Sequence, residues 1–215
     1  MTPVASVSEI YQLRCWFRGI SPLIWRRLWV TNDTTIADLH HILQIVLGWP
    51  DTYLHQFLIH GKAYGIAYEG GMNFSDNPRK VKLSDFQFHP KERFVYEYNF
   101  FDNWQLDICF EQKQSRDENK CYPVCIGGRR TAPPEDCGGP RAFMKQADEY
   151  HPRRLETLLL DHIMCNKSER DDEYFEESLE TIVYWATLHQ FRRQPVNQRL
   201  FYFSQGDDRW QDDDD

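Results

Sequence analysis

The strongest constraint on the fold is a two-residue alternation of apolar and polar side chains on either side of a short turn. The first run is IYQLRCWFR, at residues 10–18, and the second is IWRRLWV, at residues 24–30. Between them lies the turn sequence GISP. A period of two is typical of half-buried strands, so the two runs predict an antiparallel β-hairpin.

A helical period follows the hairpin, in the segment TTIADLHHILQIVLGWP at residues 34–50. Its apolar residues recur at steps of three and four and form one stripe, which consists of Ile36, Leu39, Leu43, Val46 and Leu47. Thr35 with Asp38 resembles a capping box with a shorter acid. Gly48 and Pro50 stand just past the stripe, where a helix should stop. We therefore predict one helix packed on a sheet.

Alternation returns after the helix. The segment TYLHQFLIHGKAYG, at 52–65, predicts a third strand with a turn at Gly61, and KVKLSDF, at 80–86, predicts a short edge element. A second hairpin is predicted by ERFVYEYNFFDNWQLDICFEQ, at 92–112. Two helical patterns follow, PRRLETLLLDHI and EESLETIVYWATLHQF. The predicted class is α+β, with a mixed, mainly antiparallel sheet of two hairpins plus a third strand, a covering helix and C-terminal helices.

Composition and charge indicate a folded chain with an acidic end. Hydrophobic residues make up 41% of the 215 residues and aromatic residues 15%. The formal net charge is -8, and residues 206–215 hold six aspartates and one arginine. We predict that 206–215 form a disordered acidic tail. The first 30 residues hold four arginines and one glutamate. Without the tail, the other 205 residues carry a formal net charge of only -3, and this near-neutral balance does not imply wholesale nucleic-acid binding.

The compartment is predicted from targeting signals and cysteines. The first twelve residues, MTPVASVSEIYQ, lack the charged and apolar regions of a secretory signal. No apolar run approaches the roughly 20 residues that span a bilayer, so no membrane partner is predicted. We expect a cytoplasmic protein whose six cysteines are thiols or metal ligands rather than disulfides.

Four segments of the chain, three of them described above, together resemble the plasmid pRiA4b ORF-3-like family. YQLRCWFRGISPLIWRRLWV is similar to its opening hairpin, and TTIADLHHILQIVLGWPDTYLHQFLI to its helix and following strand. RFVYEYNFFDNWQLDICFE resembles its second hairpin, and CIGGRRTAPPEDCGGP its glycine- and proline-rich loop. The chain departs from the family pattern at Phe101, Leu106, Ala132 and 141–143, where relatives often carry Gly, His, Cys and W-G-Y.

The resemblance implies a similar α+β fold with a β-grasp-like core. It covers about residues 10–182, which we predict to be one domain, followed by a C-terminal helix end and extension at 183–205. It also implies an origin on plasmids or as passengers of transposable elements, and it implies no particular molecular activity.

Three cysteines of the loop could bind zinc. Cys121, Cys125 and Cys137 could supply three thiolates, with Cys165, His151 or His162 as the fourth ligand, in the tetrahedron that zinc prefers. The spacing lacks the usual C-x2-C pair, so we favour no metal and no cofactor. The alternative is a loop that prolines stiffen and glycines allow to turn.

The same loop carries charged residues that could bind a partner. These are Arg129, Arg130, Glu135 and Asp136. Glu135 and Asp136 could act as ligands or as general acid–base groups. The alternative is that they cap a helix starting near Pro140 or pair with the arginines.

The second hairpin and the third strand supply the remaining site candidates. His55, in Y-L-H-Q-F, could line a cleft with Asp102 and Trp104, which makes His55 and Asp102 weak catalytic candidates and Trp104 a binding candidate. A lone histidine in a strand is more often structural, and Asp102-Asn103 is typical of a turn.

The first hairpin places tryptophans and arginines on one face. They are Trp16, Trp25, Trp29, Arg14, Arg18 and Arg27. Aromatic rings interleaved with arginine can stack on bases and contact phosphates. They can equally pack on one another, with the arginine stems covering the rings.

These observations favour a non-catalytic binding or accessory module of plasmids or transposable elements. Its partner would be another protein, with nucleic acid as the alternative. No Walker loop, dinucleotide glycine motif, H-E-x-x-H or G-x-S-x-G occurs. The competing hypothesis is an enzyme, such as a metal-assisted hydrolase centred on residues 121–137.

Overall fold

The structure, a computed structural model, describes residues 9–164 and 172–211, without the side chains of 172–175 and 177. One sheet of seven strands forms its centre. The strands are β1 (Glu9–Phe17), β2 (Trp25–Thr31), β3 (His55–Ile59), β4 (Lys62–Tyr64), β5 (Arg93–Tyr98), β6 (Trp104–Ser115) and β7 (Val124–Arg129). Their order is β4-β3-β5-β6-β1-β2-β7, and every pairing in the described part of the chain is antiparallel.

The sheet has a buried inner face and a half-exposed outer face, because the two-residue period of its strands separates apolar from polar side chains. In β1, Leu13, Cys15 and Phe17 are buried, while Arg14 and Trp16 are half-exposed. Strands β2, β5 and β6 repeat this alternation. The hydrophobic core therefore lies on one side of the sheet only.

Helix α1 (Ile36–Leu47) covers the inner face. It begins with the predicted capping box, in which Thr35 Oγ1 accepts from the Asp38 N–H and Asp38 Oδ2 accepts from the Thr35 N–H. It ends at Gly48, whose φ of 70° is left-handed, a conformation that glycine adopts without strain. The predicted stripe is confirmed, since Ile36, Leu39, Leu43 and Val46 are all buried.

Four helices complete the described part of the chain. They are α2 (Gly139–Glu149), α3 (Pro152–Met164), α4 (Asp172–Thr187) and α5 (Arg193–Ser204). Phe143 of α2 stacks on Trp185 of α4, and α5 packs on β7 and on α1. None of the helices in residues 9–164 and 172–211 is long and apolar enough to cross a membrane.

The predicted α+β class is confirmed, and several local predictions are corrected. Residues 83–86 form a 3-10 helix instead of an edge strand, because Asp85 caps the preceding Lys82 N–H. Residues 124–129, which the sequence predicts as part of the glycine- and proline-rich loop, form edge strand β7. The β-grasp likeness of the core stays a prediction.

The C-terminal boundaries can be compared with the prediction in part. Helix α4 runs through residue 183, where we had placed the end of the domain. Of the predicted disordered tail, residues 206–211 are described and contain a short 3-10 helix, Asp208–Trp210. Residues 212–215 lie outside the described part.

Candidate functional site

The glycine- and proline-rich loop is fixed to the second hairpin through the main chain of Glu135. The Glu135 carbonyl oxygen accepts from Asn99 Nδ2 and from Trp104 Nε1, both at 2.9 Å. The Glu135 carboxylate accepts from the Tyr98 hydroxyl at 2.6 Å. Trp104, predicted as a binding residue, has no exposed surface. It can therefore touch a ligand only if the loop moves away.

Asp102 performs a similar positioning role at the end of this loop. Its Oδ2 accepts from the Gly138 N–H at 2.9 Å. A Cβ on Gly139 would collide with the Asp102 carbonyl oxygen, so only glycine allows this close approach. The carboxylates of Asp102 and Glu135, both predicted as catalytic candidates, thus hold the loop on the sheet.

The other predicted loop residues are not gathered into one place. Arg129 and Asp136 are exposed, and Arg130 is half-buried with a buried Nε that has no hydrogen-bond partner in the described part. The Arg129 carbonyl oxygen accepts from Arg26 at 3.2 Å, because the two residues lie on neighbouring strands.

The cysteines predicted as weak zinc ligands are separated as well. Cys125 is buried in β7, where its thiol donates to the Gly127 carbonyl oxygen at 3.4 Å. Cys121 is exposed, and burial raises the pKa of the half-buried Cys137 to about 11. Cys165 lies outside the described residues. Among those residues, the one group of three potential ligand atoms within 4.8 Å of one another contains no cysteine.

That group consists of His40, His41 and Asp51. Both histidines lie in α1, and Asp51 follows the turn that ends this helix. His40 is fully buried, and its Nε2 lies 2.8 Å from Asp51 Oδ1. His41 is half-buried, and its Nδ1 lies 3.7 Å from Asp51 Oδ2. Sequence reasoning missed this group, although the adjacent pair HH and the following WPD were visible signals.

His55, the predicted strand histidine, completes the cluster. Its ring stacks on that of His40, with centroids 3.5 Å apart and planes at 7°. Its Nε2 accepts from the Ile66 N–H at 3.3 Å, whereas its buried Nδ1 has no partner in the described part of the chain. The structure does not join His55 to Asp102, which is engaged with Gly138.

A chain of hydrogen bonds fixes the protonation of His40. Gln44 Nε2 donates to the Tyr96 hydroxyl at 2.7 Å. The hydroxyl in turn donates to His40 Nδ1 at 2.8 Å, which leaves the ring proton on Nε2 to be donated to Asp51. Burial lowers the pKa of His40, His41 and His55, that of His55 to about 2. All three rings are thus neutral at pH 7.

A second constellation lies on the outer face of the sheet. We call it the arginine–tryptophan face, and it consists of Arg14, Trp16, Trp25, Arg27, Trp29 and Arg93. The Arg14 guanidinium lies 5.7 Å from the Trp16 ring and 5.0 Å from the Trp25 ring. Arg93 lies 5.0 Å from Trp16, and Arg27 lies 5.4 Å from Trp25. Cations and rings therefore alternate across three strands of the face.

The charges on this outer face are only partly balanced. Arg27 makes a bidentate ion pair with Glu111 at 2.7 and 2.8 Å, and neighbouring Arg18 pairs with Asp107 at 2.6 Å. Arg14 and Arg93 contact rings, and no carboxylate of the described residues lies within ion-pair distance of them. At one end, Trp29 also lines a groove of about 470 Å³ between β7 and α5.

The fold and these two constellations define an α+β protein with an open antiparallel sheet, one covered face and one polar, aromatic face. The chain belongs to the plasmid pRiA4b ORF-3-like family, whose model matches residues 9–158. It is 28% identical, over 157 residues, to the uncharacterized protein y4hQ of Sinorhizobium fredii, covering 71% of this chain and 80% of that protein.

A solved structure shares the fold. The crystal structure of a protein of unknown function from Methanosarcina mazei Go1 matches with a TM-score of 0.63 and 29% sequence identity, over 88% of this chain and 98% of that chain. The family resemblance inferred from the sequence motifs is thereby confirmed.

Proposed function

We propose that the protein is a non-catalytic binding module of plasmids or transposable elements, and that its arginine–tryptophan face receives an acidic segment of a partner protein in the cytoplasm. The observation that carries this proposal is the alternation of half-exposed tryptophans with two arginines, Arg14 and Arg93, that contact the rings and form no ion pair among the described residues. The plasmid reading frame after which the family is named supports the genetic context.

The chemistry of the face suits a protein partner. Tryptophan and arginine are enriched at protein interfaces and dominate their hot spots, since each combines a large contact area with directional polar groups. Arg14 and Arg93 are held over tryptophan rings and keep N–H donors for an incoming carboxylate. An acidic segment could pair with both while its apolar side chains cover the rings.

Nucleic acid fits the same face less well. A nucleic-acid site needs many cations to replace phosphate counterions, and two of the four outer-face arginines are already neutralised by Glu111 and Asp107. We therefore favour a protein partner.

Catalysis at the 121–137 loop is disfavoured by the roles of Glu135, in the loop, and of Asp102, in the second hairpin. Glu135 and Asp102 are both bonded to groups that hold the loop in place. A general acid or base must instead direct a free lone pair or proton at a substrate.

The test compares the partners retained by four immobilised proteins from a lysate of the native host. The face variant Arg14→Gln with Arg93→Gln removes two charges from the face. The matched control Arg153→Gln with Arg154→Gln removes two exposed charges from α3. The fourth protein, Ile163→Glu, changes an exposed apolar side chain of the same helix. Retained proteins are identified by mass spectrometry, and tryptophan fluorescence follows titration with poly-glutamate and with oligo-dT.

We expect one protein to be retained by the wild type and by both α3 variants but not by the face variant, together with quenching by poly-glutamate. Retention of the same protein by the face variant would overturn the proposal. Failure of Ile163→Glu to retain this protein, with normal retention by the face variant, would also overturn the proposal, because it would locate the interface on α3. Quenching by oligo-dT alone would establish nucleic acid as the ligand.

A further inference from the structure

We propose that His40, His41 and Asp51 form a binding site for a divalent first-row transition-metal ion such as Zn²⁺. This inference goes beyond the proposed function and does not depend on it, because the site lies at α1, on the other side of the sheet from the arginine–tryptophan face. The three ligand atoms already lie within 4.8 Å of one another.

The donor set is the first support for the site. Two imidazole nitrogens and one carboxylate are ligands that zinc and related ions prefer, at about 2.0–2.2 Å from the metal. Such bonds in a tetrahedron separate the ligand atoms by roughly 3.3–3.5 Å. His41 Nδ1 and Asp51 Oδ2 are 3.7 Å apart, and His40 Nε2 and Asp51 Oδ1 are 2.8 Å apart. The first pair would have to close slightly and the second to open by about half an ångström, which rotations of the His41 and Asp51 side chains can supply.

An unsatisfied ring nitrogen is the second support. His41 Nδ1 is a buried atom without a hydrogen-bond partner among the described residues. A buried polar atom costs free energy unless something pairs with it, and the position of Asp51 beside it shows where a cation would sit.

The surroundings of His40 can adapt to a bound ion. A metal on Nε2 requires the ring proton to move from Nε2 to Nδ1, from where it is donated to the Tyr96 hydroxyl. The Tyr96 hydroxyl then donates a hydrogen bond to Gln44 Oε1. This requires the Gln44 amide to rotate by a half-turn, which places Oε1 where Nε2 now lies. No net proton is gained or lost, and each ring nitrogen keeps a partner.

The site is also accessible. The side chains of His41 and Asp51 are 27% and 22% exposed, so an ion can enter without unfolding and can keep a water molecule or accept a partner's ligand. Trp210 lies 5.4 Å from the His41 ring and forms one wall. Its fluorescence therefore reports on the site.

The experiment measures metal binding to the full-length protein after treatment with a chelator. Zn²⁺ is titrated by calorimetry, its stoichiometry is measured by native mass spectrometry, and Co²⁺ provides an absorption spectrum. The site variants are His41→Asn and Asp51→Asn. The matched control is His60→Asn, because His60 also lies beside a carboxylate, 2.5 Å from Glu92, but outside the proposed site. Circular dichroism verifies that each variant is folded.

We expect one Zn²⁺ per chain for the wild type and His60→Asn, and binding at least about tenfold weaker for both site variants. Tyr96→Phe, which removes the outer hydrogen bond of His40, should weaken binding by about 10- to 100-fold. Absence of stoichiometric binding would overturn the proposal. Unchanged affinity in folded His41→Asn and Asp51→Asn would do the same, as would a cobalt spectrum dominated by thiolate charge transfer, which would locate the ion at cysteines.

Discussion

Arg26 Nε donates a hydrogen bond to the main-chain carbonyl oxygen of Val46 at 2.9 Å, deep inside the protein. Val46 lies in the last turn of α1, where carbonyl groups have no partner within the helix. Arg26 is 2% exposed, and its guanidinium also lies 3.9 Å from the centre of the Phe191 ring. Burial lowers the pKa of Arg26 to about 10, which leaves it charged at pH 7. One buried cation thus connects β2 to the end of α1.

We predict that Arg26→Lys lowers the free energy of unfolding by about 2–4 kcal/mol, because an ammonium cannot reproduce the planar fork that reaches Val46, Trp25 and Arg129. Urea denaturation measures the change. Arg27→Lys is the control on the outer face, where loss of the half-exposed pair with Glu111 should cost less than about 1 kcal/mol. Equal effects of the two substitutions would contradict the prediction.

The loop around Glu135 provides a second prediction. Trp104→Phe keeps the aromatic ring but removes the N–H that the Glu135 carbonyl accepts, so we expect a cost of about 1–3 kcal/mol and faster hydrogen exchange at residues 131–138. Hydrogen-exchange mass spectrometry measures the second effect. Trp29→Phe, which loses an outer-face bond to Gln12, is the control and should leave exchange in the loop unchanged. Unchanged exchange in Trp104→Phe would show that the Trp104 hydrogen bond does not hold the loop, which would leave that role to the bonds from Tyr98, Asn99 and Asp102.

The C-terminal end provides a third prediction. Its acidic charge suggests a segment without stabilising contacts, whereas the contacts of Trp210 indicate that it adds to stability. The Trp210 carbonyl oxygen accepts from Arg199 Nε at 2.9 Å, and its ring contacts Phe203 edge-on. A chain that ends at residue 205 should therefore melt about 2–6 °C below the full-length protein, which corresponds to a loss of about 1–2 kcal/mol. A chain that ends at residue 211 is the control. Equal melting temperatures of both truncated chains in scanning calorimetry would show that the Trp210 contacts are not stabilising.

A fourth prediction concerns alkaline pH. Burial raises the pKa of the Cys15 thiol from 9.0 to about 12, so above pH 9 the unfolded chain loses the thiol proton while the folded chain retains it. Because the folded state then binds more protons, its stability falls as the pH rises. By pH 10.5 the loss from Cys15 is roughly 2 kcal/mol.

The measurement is urea denaturation at pH 8 and pH 10.5 for the wild type and Cys15→Ala. Other alkaline effects, such as ionisation of the buried tyrosines, act on both proteins. The decrease between the two pH values should therefore be about 2 kcal/mol smaller in the variant. Cys121→Ala, at an exposed thiol, should behave as the wild type. Parallel decreases in all three proteins would contradict the prediction.

The sequence predicts the hairpins and α1 because a single period controls each of them. The alternation in 10–18 and 24–30 and the stripe in 36–47 each separate a buried side from another side, and the structure keeps that separation. Strand β7 escapes the same reasoning since Gly127 and Gly128 interrupt its pattern. The structure supplies the reason for Gly128, where the Phe191 ring leaves no room for a side chain.

The candidate metal site was not predictable from local patterns. His40 and His41 interrupt an apolar stripe, and Asp51 becomes their neighbour only because the chain reverses after Gly48, reaching a φ of 60° at Asp51 itself. Of the predicted catalytic candidates, His55 alone lies in this cluster, by stacking on His40 across two elements. Such proximity depends on tertiary packing, which cannot be read from the spacing of residues along the sequence. The short 3-10 helix at Asp208–Trp210 escaped prediction for a similar reason, since the aspartates around it concealed the single apolar residue Trp210.

The contact between α1 and α5 has a consequence during synthesis. Nearly every side chain of α1 is buried, including Ile42 and Ile45, yet α5, which packs on this helix, is encoded about 150 residues later. Residues 193–204 are synthesised only after all seven strands. Until then, the nascent domain exposes the apolar surface of α1 that α5 later contacts. That interval is when chaperone contact matters most, because exposed apolar surface in incomplete chains promotes aggregation. Packing of α5 onto α1 and β7 is therefore the last step of folding during synthesis.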